Sequence, residues 1–394
     1  MTPQPQTTAT ALAELPRRTA LLIAVPLLLV VCVTSIHAPT VWPETHYLFS
    51  YADGFHRRSL FGTALSVPFP NGLTLVATHW IALLVTLFAA LSLTAFVASR
   101  SLRASGGPLL LILFLSSPGF AATLGNTGYL DLLLVILAVA AMTLPATVAG
   151  VIGTAILCTV GVLVHEIMLP AFVPLIAARV WLARADQATP SRTLLAAIPL
   201  LAGGLTALTA IRFGTAPAGD FTRLVEAVSA RAIDFLPQPE AVATLVDLPT
   251  SHPDNSQSKF GHPAHLFELR TAGLLALVLI AAMLRLPLTA LADRPPVERA
   301  FAVLAALAPL SILAIAFDVP RFLALALVNL YLLTAIGLKC SPRPDLRPAL
   351  TPVFVILLML AQSQFLLRDF SYRQGDFMAG FPGVLLTWKD WQLR

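Results

Sequence analysis

The sequence has little charge. Only 11% of its 394 residues are charged, whereas 57% are hydrophobic and the mean hydropathy is +0.82. Soluble domains carry about 25% charged residues, so this chain has too little polar surface to fold without lipid covering it. The shortage excludes soluble enzymes and disordered regulators. We therefore predict a polytopic membrane protein.

Cysteine and lysine are also scarce. Of the three cysteines, two lie in apolar runs, and no pair has the spacing of metal ligands, which excludes a disulfide framework. Lysine occurs only at positions 259, 339 and 389, so the net charge of +5 is mostly arginine. We interpret this charge as a topology signal and expect no nucleic-acid partner. The sequence also has no phosphate-binding loop and no dinucleotide-binding fingerprint.

Long apolar runs dominate the chain. A run of about 20 apolar residues crosses a bilayer as a helix. The first run follows two arginines and is similar to an uncleaved signal anchor. We predict an all-α transmembrane bundle of about eleven spans, near residues 19–38, 73–98, 108–124, 129–146, 148–164, 167–183, 193–211, 271–289, 299–317, 320–338 and 351–367.

Basic residues predict the orientation of these spans, because arginine and lysine in short loops favour the cytoplasm. Five basic clusters fall on one side if the N-terminus is inside and the C-terminus outside. A bacterial inner-membrane protein with a periplasmic active face is expected. The predicted parts are a cytoplasmic tail (1–18), a seven-span module (19–211) with an outer loop (39–72), an extracytoplasmic loop or lid (212–270), a four-span module (271–367) and an extracytoplasmic interfacial tail (368–394).

Polar groups near the outer boundary need a reason, since a charge at mid-bilayer costs about 2.5–3.5 kcal/mol. In the segment 51–62, Asp53 lies close to His56, Arg57 and Arg58. Paired guanidinium groups bind phosphate and a nearby carboxylate accepts a proton, which suits an anionic substrate. The alternative is an interfacial helix whose arginines contact lipid headgroups.

A second polar group is the segment 125–131, which includes Asn126, Tyr129 and Asp131. Its two glycines favour a tight turn, which places Asp131 in the first turn of the fourth span, where the helix dipole favours an anion. The functional hypothesis is that this turn binds substrate. The alternative is a carboxylate that only stabilises the start of a helix.

Two further groups interrupt the apolar runs. His165 and Glu166 separate the fifth and sixth runs, but position 169 is leucine, so the zinc-protease pattern is absent. Asp318 and Arg321 form the connection before the tenth run and are close enough in sequence to pair. The alternative for each group is a purely structural polar contact: a satisfied His–Glu contact in the first, and an ion pair that closes a helical hairpin in the second. Because the four acidic residues come from four connections on one face, we predict a single polar cavity that opens outward.

The long segment 212–270 divides into two parts. Residues 220–247 have apolar positions compatible with an amphipathic helix, whereas 248–267 are rich in turn residues. Long irregular loops are uncommon unless they are functional, so we predict a lid over the cavity. His262 and His265 either reach a ligand or remain solvated. The tail after residue 368 carries aromatic residues suited to the membrane interface, among them Tyr372, Phe377, Phe381, Trp388 and Trp391.

The arrangement resembles the GT-C superfamily of membrane glycosyltransferases, mainly over residues 19–270. In this comparison Asp53 matches the acidic residue of the first outer loop and Asp131 that of the next. The resemblance implies transfer of a sugar from a polyprenyl-phosphate donor to a lipid, glycan or protein acceptor, with inversion at the anomeric carbon. One departure is that glycine follows Asp53, so the Asp-x-Asp motif of many members is absent.

The resemblance also implies roles for individual residues. The arginines at 57, 58 and 321 would balance the donor phosphate. Asp53 would act as general base, or would bind a divalent cation, Mg²⁺ or Mn²⁺, together with Asp131 or Glu166. Two alternatives stay open. One is a polysaccharide polymerase or ligase of the O-antigen type, and the other is a secondary transporter with a proton relay through Asp131, His165 and Glu166.

Overall fold

A computed structural model describes residues 15–247, 274–314, 319–342, 345–351, 354–355 and 358 of the chain. The fold is all-helical with almost no strand, as predicted. The helices are α1 (Arg17–Ser35), α2 (Val41–His46), α3 (Leu60–Ser66), α4 (Leu75–Ser101), α5 (Gly107–Leu115), α6 (Pro118–Gly125), α7 (Asp131–Thr143), α8 (Val148–Val164), α9 (Met168–Ala171), α10 (Val173–Ala183), α11 (Thr189–Phe213), α12 (Phe221–Ser229), α13 (Pro239–Ala243), α14 (Leu274–Met283), α15 (Arg285–Ala290), α16 (Pro296–Leu307) and α17 (Val319–Cys340).

Five helical segments in the described part of the chain are long and apolar enough to cross a membrane: α1, α4, α11, α17 and the segment Pro296–Leu313, in which α16 continues as a 3-10 helix. The bent pair α5 and α6 makes a sixth if it forms one span. The other apolar helices have only 10–17 residues. The predicted runs from 19–38 to 320–338 coincide with helices, so a membrane protein is indicated. Eleven crossings and their orientation are not confirmed, and run 351–367 lies almost entirely outside the described residues.

Helix α17 lies at the centre of the bundle. Its apolar stretch is 94% buried inside the protein, against 17% for α1 and 28% for α11. Helix α11 exposes a stripe of leucines at positions 201, 205 and 208, spaced three and four residues apart. A stripe with this spacing on an otherwise apolar helix is a surface for lipid. The bundle is therefore built around one buried helix with peripheral helices facing outward.

The stretch 220–247, whose apolar spacing is compatible with an amphipathic helix, is helical only in part, in α12 and α13. Helix α12 ends at Ser229, and the chain then turns so that Ile233 N donates to Leu73 O at 3.0 Å. A two-residue strand β1 (Ala216–Pro217) pairs in parallel with β2 (Val246–Asp247). Hydrogen bonds to Leu73, just before α4, replace the local helical hydrogen bonds after Ser229, and Asp234 accepts from the first amide of α4.

Several predicted features fall outside the described residues. They are Asp318, the turn-rich stretch 248–267 with His262 and His265, and the aromatic tail 368–394. The lid hypothesis therefore stays a prediction.

Candidate functional site

The loop between α2 and α3 is a folded element. A 3-10 turn (Tyr51–Asp53) ends at Gly54, whose φ of 124° is a conformation that favours glycine. The ring of His56 is 7% exposed, and its Nε2 lies 3.2 Å from the backbone oxygen of Asp53, to which it donates. These contacts fix the direction in which each following side chain leaves the loop.

The charged residues of this loop contact three different parts of the protein. Asp53 forms a bidentate ion pair with Arg231, with a distance of 2.7 Å between Oδ2 and Nη1. Arg57 donates from Nε to the backbone oxygen of Thr244 at 2.7 Å, and its amide donates to Gly214 O at 2.9 Å. The described contacts of Asp53 are thus to a distant arginine and not to the arginines that follow it in sequence.

Arg58 forms an ion pair with Glu166, which lies 108 residues later in the chain. Its Nε is 3.1 Å from each of the two carboxylate oxygens, and the side chains are 15% and 20% exposed. The backbone of Arg58 has a φ of 65°, the one positive φ among the described non-glycine residues. Such a conformation costs about 1–3 kcal/mol and persists only where the surroundings enforce it, often at functional sites.

Asp131 and Arg321 form a second, more deeply buried ion pair. Arg321 donates from Nε and Nη2 to the two carboxylate oxygens, and the side chains of Arg321 and Asp131 are 10% and 3% exposed. Asp131 is the first residue of α7, as predicted, and follows a turn in which Gly128 has a φ of 88°. The guanidinium of Arg321 lies 5.1 Å from the ring centroid of Tyr129.

His165 lies between α8 and α9 and is neutral. The amide of Ile167 donates to its Nδ1 at 3.2 Å, so this nitrogen carries no proton. The contact of 3.4 Å between Nδ1 and Glu166 is therefore not an ion pair. Burial lowers the pKa of His165 to about 3, and the Glu166 charge that would raise this pKa does not outweigh it.

The neighbouring Glu166 is ionised. Burial raises its pKa, but the charges of His165 and Arg58 and the hydrogen bond from Arg58 together hold that pKa well below its usual range. Because His165 is neutral, the guanidinium of Arg58 is the group that lowers the pKa of Glu166.

His46, at the end of α2, completes the site. It is 2% exposed, and neither ring nitrogen has a hydrogen-bond partner among the described residues. Burial lowers the pKa of His46, and the nearby charges of Arg58 and Arg321 lower it further. We call these six residues the polar cluster: His46, Arg58, Asp131, His165, Glu166 and Arg321.

The polar cluster is a balanced set of charges. It contains two arginines, two carboxylates and two neutral imidazoles, drawn from five separate segments of the chain. Asn126 caps the end of α6, and its backbone amide donates to Thr123 O at 3.3 Å. Chemically, the cluster supplies two guanidinium groups that can each donate two hydrogen bonds to an anion. It also supplies two neutral imidazoles that can accept protons, in an interior of low dielectric.

The predicted carboxylates do not share a metal-binding arrangement in the part of the chain that the structure describes. No group of three histidine, cysteine, aspartate or glutamate residues there is arranged to hold a metal ion. Instead, Asp53, Asp131 and Glu166 each contact an arginine. A divalent cation stays an untested expectation of the sequence.

Sequence reasoning assigned no role to Arg231, His46 or the pair Glu44 and His79. His79 Nε2 lies 2.7 Å from Glu44 Oε1, and the side chains are 11% and 4% exposed. Arg231 contacts a residue 178 positions away, so no local pattern distinguishes it from other arginines. Glu44 and His79 are 35 residues apart in the chain, so no local pattern indicated their contact either.

Comparisons with known proteins identify no relative. No family model, no curated protein and no solved structure matches this chain.

Proposed function

We propose that this protein is a membrane glycosyltransferase that takes its sugar from a polyprenyl-phosphate donor and uses the polar cluster as its active site. The observation that carries the proposal is the pairing of Arg58 with Glu166 beside the buried pair of Asp131 and Arg321. Charged groups inside an apolar bundle are costly and are usually retained for function. Two arginines at one end of the bundle suit the phosphate of a lipid-linked donor.

The two ion pairs have different parts in this proposal. Asp131 and Arg321 are nearly inaccessible, so they form the fixed floor of the site. Arg58 and Glu166 are more exposed, at 15% and 20%, and are where substrate enters. When the donor phosphate binds Arg58, Glu166 loses its partner and becomes available as a base. The proposal therefore assigns the general base to Glu166, where the resemblance implied Asp53.

The reaction then balances as a single displacement. The acceptor hydroxyl forms a bond to the anomeric carbon and gives its proton to Glu166. The bond between that carbon and the phosphate oxygen breaks, and the electron pair leaves with the phosphate. Arg58, which binds the phosphate, stabilises the negative charge that develops on the leaving group.

The experiment is a transfer assay with purified full-length protein in lipid nanodiscs and a panel of polyprenyl-phosphate sugars plus membrane lipid extract. Mass spectrometry detects free polyprenyl phosphate and the glycosylated product. Glu166→Gln is expected to lower the rate by about 10²–10⁴-fold, the usual contribution of a general base. Asp53→Asn tests the role that the resemblance implies.

Asp220→Asn is the matched control, because Asp220 forms an exposed ion pair with Arg223 on the segment after α11. This variant should keep the wild-type rate. Products that grow by whole oligosaccharide units would favour the polymerase. Full activity of Glu166→Gln at wild-type expression would exclude the proposed base.

A proton-coupled transporter is the second candidate, favoured by one observation. His46 and His165 are buried neutral imidazoles beside two carboxylates, which is a set of groups that can pass protons. Proton flux in proteoliposomes that is lost in His165→Asn, together with no transfer from any donor, would support the transporter over the transferase.

A further inference from the structure

A second polar site lies at the other end of the same helices. A cavity of about 500 Å³ is lined by residues from the C-terminal ends of α4, α7, α10 and α17, with further residues from the loop after α10 and the loop between α15 and α16. The polar cluster contains the first residue of α7 and the third residue of α17. At 1.5 Å per residue, the cavity is about 18 Å away along α7 and about 28 Å away along α17.

The cavity is strongly basic. Its lining includes four cations, Arg100, Arg179, Arg294 and Lys339, and one carboxylate, Asp186. None of the four cations forms an ion pair with a carboxylate among the described residues. The formal excess is therefore three positive charges in a space of the size that binds small ligands.

Capping of helix ends explains part of this charge. Arg100 Nη2 donates to Met142 O at 3.3 Å, Arg179 Nη2 donates to Leu144 O, and Arg294 Nη2 donates to Cys340 O at 2.8 Å. Cations near helix C-termini are stabilised by the dipole. Four helix ends at roughly half a negative charge each offset about two of the three excess charges, so the cavity remains positive.

Capping also leaves donors unused. Arg179 Nη1 is buried without a hydrogen-bond partner among the described residues, although Nη2 of the same side chain is bound. Lys339 is exposed and contributes its charge at the cavity edge. A buried guanidinium nitrogen without an acceptor is costly, and an anion in the cavity would satisfy it.

We propose that this cavity binds a phosphate group, carried either by a soluble pyrophosphate-type ligand or by a lipid headgroup. Phosphate presents several acceptor oxygens and two or more negative charges, which match converging arginines better than a carboxylate does. The proposal does not depend on the function of the polar cluster. It adds an anion site at the end that the basic residues of the sequence predict to be cytoplasmic.

The test uses the full-length protein in neutral detergent with inorganic pyrophosphate, measured by calorimetry at constant ionic strength. Native mass spectrometry in nanodiscs of phosphatidylcholine, with or without 10% phosphatidic acid or phosphatidylglycerol, tests the lipid source. Lys339→Gln should weaken binding about tenfold, as expected for one charge-assisted contact. Arg179→Gln should weaken it further.

Arg347→Gln is the matched control. It removes one positive charge near the same end, but Arg347 forms an exposed ion pair with Asp345 and does not line the cavity. Pyrophosphate binding lost in the cavity variants but kept in the control assigns a soluble ligand, whereas lipid retention with the same pattern assigns a headgroup. If Arg179→Gln does not fold, Lys339→Gln decides. Equal binding in Lys339→Gln and Arg347→Gln, or no binding of either probe, would overturn the proposal.

Discussion

Arg321 and Asp131 connect the starts of two helices that are 190 residues apart in the chain. Arg321 is the third residue of α17, the buried central helix, and Asp131 is the first residue of α7. The pair ties the centre of the bundle to one neighbour at the end where the polar cluster lies. The contribution of this ion pair to stability can be measured by unfolding experiments, independently of any activity.

We expect Asp131→Ala to destabilise the protein by about 3–5 kcal/mol, because it leaves the guanidinium of Arg321 buried without its carboxylate. Removing both partners in Asp131→Ala/Arg321→Ala should cost less than the sum of the two single changes. Unfolding in detergent, analysed as a double-mutant cycle, measures the difference. The exposed pair of Asp220 and Arg223 is the control and should give a coupling of about 0–1 kcal/mol. Additive costs at Asp131 and Arg321 would contradict the pairing.

The pair of Asp53 and Arg231 should act locally. It joins the loop before α3 to the segment after α12, and both side chains are less than one quarter exposed. Arg231→Met should raise hydrogen exchange of residues 50–58 and 229–233 while leaving exchange in α17 unchanged. Arg223→Met removes a nearby exposed arginine and should leave residues 50–58 as in the wild type. Unchanged exchange in Arg231→Met would show that backbone contacts alone hold the loop.

His165 should make stability depend on pH between about 6.5 and 4.5. Burial lowers its folded pKa to about 3, from 6.5 in the unfolded chain. Below pH 6.5 the unfolded chain takes up a proton that the folded protein does not, so stability falls by up to about 1.4 kcal/mol per pH unit. The Glu166 pKa is also lowered, but its contribution is lost only below about pH 4.5.

The measurement is the apparent melting temperature in detergent across this pH range. In His165→Asn, which keeps an acceptor for the amide of Ile167, the decrease should be shallower than in the wild type. His46→Asn should also reduce the slope, because burial lowers the His46 pKa as well. Above pH 6.5 the curves should run parallel. Identical slopes in all three proteins would mean that neither ring is held neutral.

Gly62 should tolerate no side chain. A Cβ at this position would lie 2.0 Å from Phe49 O and 2.6 Å from Tyr47 O, and backbone atoms cannot move aside as a side-chain end can. Gly62→Ala is expected to cost about 1–3 kcal/mol or more through overpacking. Gly204→Ala is the matched helical control, with open space around the glycine, and should be neutral or stabilising by about 0.5–1 kcal/mol. Thermal unfolding of both variants distinguishes these outcomes.

The sequence by itself determined the helical class, the apolar runs and the polar breaks between them. Apolar composition and Pro, Gly and Asp at run boundaries act over a few residues, so Asp131 was correctly placed at a helix start and His165 between two helices. The same reasoning failed after Ser229, where helical spacing continued but the backbone paired with Leu73 instead. A local pattern cannot include a competitor that lies 160 residues away.

Only the tertiary structure decided which charges meet. In the sequence Asp53 is close to the arginines at 57 and 58, yet in the structure Asp53 pairs with Arg231 and Arg58 pairs with Glu166. It also brings in His46, for which no sequence pattern indicated a role. Ion pairs depend on distance in space, and in a helical bundle that distance is set by how the helices pack. Packing uses apolar surfaces that look alike along the chain, so the partners of a charged residue emerge only when the bundle is assembled.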